Sequence, residues 1–127
     1  FAATQLPPKE LAELKQVQAE IEKNSAPEAV LKSRELNRRF HALIFTASRC
    51  PYLIRTLGML WAAFPTMLLG NYPRTASQPL LGRDDVDLQE HDAIIEALER
   101  GDAPSAQNAM KEHIESVLRE MIGMINK

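Results

Sequence analysis

The chain holds three histidines, His41, His91 and His113, and helical geometry can bring all three together. Neutral imidazole is a good ligand for zinc, nickel or copper, so the chemistry at stake is the holding of one divalent cation. His91 stands ten residues before Gly101 and His113 twelve after it, on either side of an Arg100-Gly101-Asp102 turn. At a helical rise of about 1.5 Å per residue, those offsets amount to roughly 15 and 18 Å. In an antiparallel hairpin the two side chains therefore stand almost level. His41 belongs to a third helix and has Asn37 one turn before it. If that helix packs against the hairpin, the chain has a mononuclear metal site inside a helical bundle.

Each of these residues must also face inward. His91 follows Leu88 by three residues and precedes Ile94 and Ile95, which puts it on the apolar stripe of its helix. His113 follows Ala109 and Met110 by a turn and precedes Val117 by another. His41 sits beside Phe40 and three residues before Ile44. Polar groups aimed into a core are costly unless they satisfy one another or bind something. Two arrangements meet that demand: a shared cation, or separate hydrogen bonds from each imidazole to a backbone carbonyl. Glu90 and Asp92 bracket His91 on other faces, yet either can support the site from outside if the helix is slightly rotated.

Five helical segments are predicted to position these groups. The first runs over 8–23, with Leu11, Leu14, Val17 and Ile21 as its stripe and Pro7-Pro8 suited to a helix start. Ser25-Ala26-Pro27-Glu28 matches a capping box for a second helix reaching Ser48, with Val30, Phe40, Leu43, Ile44 and Ala47 apolar. Pro51 opens a third, carrying Leu53, Leu57, Leu60, Trp61 and Phe64, which Pro65 kinks or ends. A short helical piece over 66–69 and a loop over 70–83 follow. The fourth helix starts near Asp84 or Asp85 and ends at Gly101, a glycine suited to close it. Asp102 caps the fifth, which Ala106, Ala109, Met110, Ile114, Val117, Leu118 and Met121 line. No strand pattern competes, so the expected architecture is all-α, an antiparallel bundle of five to six helices.

Composition narrows the class of protein. At 127 residues the chain has the length of one domain, and residues 1–127 are read as a single unit. Its net charge of −2 gives no electrostatic reason to expect nucleic acid on this segment. A single cysteine, Cys50, excludes an internal disulfide framework and fits a reducing, cytoplasmic setting. No apolar run reaches the roughly 18 residues of a membrane span. The chain starts at Phe1 without an initiator methionine, as a fragment of a longer protein or a processed chain would.

Taken together, Asn37-x-x-Phe40-His41, Ala47-Ser48, Glu90-His91-x-x-Ile94-x-x-Ala97-Leu98-x-x-Gly101-Asp102 and Ala106-x-x-x-Met110-x-x-His113-Ile114 resemble a known family. It is the effector-binding domain, called FCD, of GntR-type, FadR-like bacterial transcription regulators. The resemblance extends from about Leu6 to the last helix and implies an all-helical domain with a central metal. It implies a ligand set drawn from an Asp-x-x-x-His turn and two later histidines, carried over here to Asn37, His41, His91 and His113. Asn37 departs from that pattern, since aspartate is commoner there; an amide oxygen is a neutral, weaker ligand and leaves the site more positive by one charge. The likeness further implies a small carboxylate effector, dimerisation, and an N-terminal winged helix–turn–helix that binds operator DNA and lies outside this chain.

Ser33, Arg34 and Arg38 are candidate effector contacts, because they share a helix with Asn37 and an inward arginine can clamp a carboxylate bidentately. A solvated basic face is the alternative for Arg38 and Arg39. The favoured function is a non-catalytic sensor that binds a small organic acid through zinc or nickel, in a homodimer. A mononuclear metal-dependent hydrolase or oxygenase is the alternative, since a three-histidine site with open positions can activate water. Against it, the sequence has no HExxH motif and no evident general base. In a third reading the histidines are structural within a helical interaction module.

Overall fold

The computed structural model describes residues 6–24, 30–63 and 83–125. Five helices occupy the described residues, and no strand is found among them: α1 (Pro8–Lys23), α2 (Val30–Ala47), α3 (Pro51–Ala63), α4 (Arg83–Glu99) and α5 (Ala103–Ile125). They form an antiparallel bundle. α4 packs along α5, α1 lies against both α2 and α4, and α3 leans on α2. Several expectations lie outside the described residues: the capping box at Ser25–Glu28, the stop at Pro65, the helical piece over 66–69 and the loop over 70–82. The start of α4 falls at Arg83, slightly earlier than the aspartates expected to open it.

α1 starts on Pro8, whose missing N–H costs nothing at a helix end. Its stripe is buried as periodicity requires: Leu14, Val17 and Ile21 all lie in the core, with Leu11 packed beside them. They meet Leu36 and Phe40 of α2 and Ile94, Ile95, Ala97 and Leu98 of α4. α4 lies between α1 and α5 and so buries residues over much of its circumference.

The α4–α5 turn is built as its sequence dictates. Gly101 adopts φ 67°, a left-handed conformation that costs a residue with a Cβ. Its N–H donates to Leu98 O, and the Asp102 N–H donates to Ala97 O, the paired bonds of a Schellman close. Asp102 then caps α5 by accepting the Ser105 backbone N–H at Oδ1 and the Ser105 hydroxyl at Oδ2. Those bonds, the hydroxyl's foremost, hold the Asp102 carboxyl below its ordinary pKa. One glycine and one aspartate thus reverse the chain and fix the register of the two helices.

Two expected core positions are not in the core. Ile114 is 56% exposed and Leu118 52% exposed, and with Ile122 they form an apolar stripe along α5. The reason is angular: at about 100° per residue Ile114, Leu118 and Ile122 lie roughly 100°, 140° and 180° round the helix from His113, so the stripe turns away from the face that carries the imidazole. Leu60 of α3, also expected on an apolar face, is half-exposed.

Candidate metal centre

Three helices deliver one imidazole each. His41 comes from α2, His91 from α4 and His113 from α5. The Nε2 atoms of His91 and His113 stand 3.3 Å apart, and those of His113 and His41 also stand 3.3 Å apart. All three ring nitrogens lie within 4.8 Å of one another. His91 and His113 are buried, and His41 is half-buried. The expected levelling of His91 with His113 across the turn is therefore found, and His41 joins them.

The rings are held by packing as well as by their helices. Phe40, fully buried, stacks on His91 with centroids 4.0 Å apart and planes 12° apart. His41 lies nearly parallel to His113, at 5.2 Å and 8°. The remaining histidine pairs meet edge to face. A fully buried phenylalanine at one side of the cluster lowers the local dielectric, which strengthens any charge interaction made there.

Hydrogen bonding decides which nitrogen faces the centre. The Nδ1 of His113 lies 2.7 Å from Glu90 Oε2, and Ser116 Oγ donates to Glu90 Oε1 at 2.9 Å. A carboxylate only accepts, so Nδ1 of His113 carries the proton and Nε2 presents a lone pair to the other rings. Asp87 Oδ1 is a second acidic neighbour, 4.0 Å from the same Nδ1. His91 places its Nδ1 3.0 Å from Gln18 Oε1 of α1. Burial, and secondarily the nearby His113, holds the His41 imidazole down at about 3, so this ring is neutral at neutral pH.

This donor set fits a divalent cation. Two imidazole nitrogens, each about 2.0–2.1 Å from zinc at a tetrahedral angle, are about 3.3–3.4 Å apart. That is the spacing of the two Nε2 pairs. Ligand histidines also characteristically give their other N–H to a carboxylate or another acceptor, as His113 does to Glu90. His41, His91 and His113 are thus able to hold a metal, with Glu90 and Gln18 behind them; Asp87, Glu90 and His113 form a second group of ligand atoms close enough to share an ion.

The described hydrogen bonds and ring contacts of the cluster do not include Asn37, Ser33, Arg34 or Arg38. Asn37 is half-buried one turn before His41, Ser33 and Arg34 are half-buried a further turn back, and Arg38 is exposed. Arg39, also exposed, pairs with Glu13 at 2.7 Å. Sequence reasoning did not single out Gln18. Its signal is a glutamine on a buried stripe, one turn after Leu14 and three residues before Ile21, and it is itself only 7% exposed.

A helical bundle with three imidazoles converging at its centre defines an all-α ligand-binding domain. The chain belongs to the FCD domain family, whose model matches residues 1–116. This is the effector-binding domain found in GntR-family regulators. No curated protein and no solved structure matches the chain.

Proposed function

We propose that this FCD domain senses a small organic acid through one divalent cation, zinc or nickel, held by His41, His91 and His113 and supplemented by Asn37. The observation that supports this reading is the approach of the three imidazoles: His113 Nε2 stands 3.3 Å from both His91 Nε2 and His41 Nε2, and all three residues offer a ligand nitrogen within 4.8 Å of one another. A bound cation would supply Lewis-acid attraction for a carboxylate oxygen at the positions the imidazoles leave open. Ser33 and Arg34, half-buried on the helix that carries His41, would contact the rest of the acid, with Arg38 at the solvent-facing rim.

The role is binding rather than turnover. Effector binding would shift the bundle between two arrangements and so reposition a winged helix–turn–helix on operator DNA. That requires different affinities for the two arrangements. The working assembly would be a cytoplasmic homodimer. No helix among the described residues is long and apolar enough to cross a membrane.

The test is elemental analysis of protein purified without chelator or histidine tag, followed by calorimetric titration with hydroxy acids, sugar acids and dicarboxylic acids. The expected result is one divalent ion per chain and acid binding that disappears on chelation. Metal-free protein that takes up no added zinc, or acid binding indifferent to chelation, overturns the reading.

A further inference from the structure

We propose that Gln18 is a positioning residue of this centre: it locks His91 in the tautomer that ligates and makes α1 a structural part of the site. The inference rests on the metal reading above and assigns a role to a helix that provides no imidazole.

The amide of Gln18 has only one sensible orientation. Its nitrogen lies 3.0 Å from Leu88 O and 3.2 Å from Asp92 Oδ1, both acceptors, so the two N–H bonds of the NH₂ group are spent there. The amide oxygen is thereby turned toward His91, 3.0 Å from Nδ1. Only a protonated Nδ1 can meet an oxygen at that distance favourably, so the Nε2 of His91 is left as the bare nitrogen facing His113 and His41. The reverse orientation would set the amide oxygen against two acceptors, one of them a carboxylate, and take this donor from both. Leu88, His91 and Asp92 form one turn of α4, so Gln18 grips that turn by three of its groups at once. The chain of cause runs from a fixed carbonyl and a carboxylate, through an amide, to a ring proton.

Two variants separate this role from simple packing. Gln18→Met keeps the side-chain volume and removes the acceptor. Gln18→Glu keeps an oxygen acceptor for His91 but sets its second oxygen against Leu88 O and Asp92 Oδ1, so it separates the ring lock from the grip on α4. Zinc affinity is measured by competition with a chromophoric chelator, and ring protonation by ¹⁵N–¹H spectra of the histidines in zinc-free protein. Gln18→Met should bind zinc 10–100-fold more weakly, and its His91 should no longer hold its proton on Nδ1 alone. Gln18→Glu should keep the His91 proton on Nδ1. Wild-type affinity in Gln18→Met, or weakened affinity with the His91 ring proton unmoved, overturns the proposal and leaves the metal reading standing. Wild-type protein that takes up no zinc overturns both. If Gln18→Met does not fold, the wild-type spectrum still decides: a His91 proton on Nε2 refutes the lock.

Discussion

Glu90 of α4 and His113 of α5 are joined across the hairpin by a 2.7 Å contact between carboxylate and Nδ1. The bond does two things at once. It fixes the ring's proton on the side away from the cluster, and it places a negative charge one ring's width from the point where the Nε2 atoms meet.

Glu90→Gln should therefore weaken zinc binding about 10–100-fold while leaving the helices intact. Competition titration checks the first part and far-ultraviolet circular dichroism the second. Unchanged affinity would show that the carboxylate serves only the fold.

His113→Ala removes the imidazole that lies within 3.3 Å of each of the others. Zinc at a hundredfold excess over its Kd should stabilise the wild type by about 2.7 kcal/mol, because it binds the native state alone. The variant should show no such gain in thermal denaturation. A zinc-dependent rise of the same size in both proteins would place the ion elsewhere.

Asn37→Asp should tighten zinc binding, since a carboxylate replaces a neutral amide beside a cation. The comparison is of Kd in the same chelator competition. Equal or weaker affinity would remove Asn37 from the ligand set.

Gly101→Ala should cost roughly 1–2 kcal/mol in urea denaturation, because φ 67° forces the new Cβ into a left-handed conformation. The loss should appear with or without zinc. A cost seen only with zinc would mean the turn matters for register alone.

Leu118→Gln should cost no more than about 0.5 kcal/mol, whereas Leu14→Ala should cost about 2–5 kcal/mol. The first side chain is half in water and the second is sealed in the core. A loss at Leu118 as large as that at Leu14 would mean that a partner covers the stripe on α5.

What the sequence discloses follows from how local each cause is. The Gly101–Asp102 turn is legible because its conformation is set by the residues that form it, and the levelling of His91 with His113 comes from that turn alone. The helix spans of α1, α4 and α5 are legible for the same reason. Gln18 is not, because its three partners lie 70–74 residues away and exist only once α1 has docked on α4. Ile114 and Leu118 mislead because periodicity gives an apolar arc but not the width of the neighbour that covers it. Asp92 reads as a residue on another face that can support the site from outside, but its partner Gln18 is fixed only through the same docking.

The tight reversal at Gly101 has a consequence for how the centre comes together in time. His91 and His113 are 22 residues apart, whereas His41 and His113 are separated by 72. Closing the larger loop costs about 1 kcal/mol more in chain entropy. The hairpin is thus the early half of the clasp, assembled from neighbours, and His41 is the late arm that shuts it.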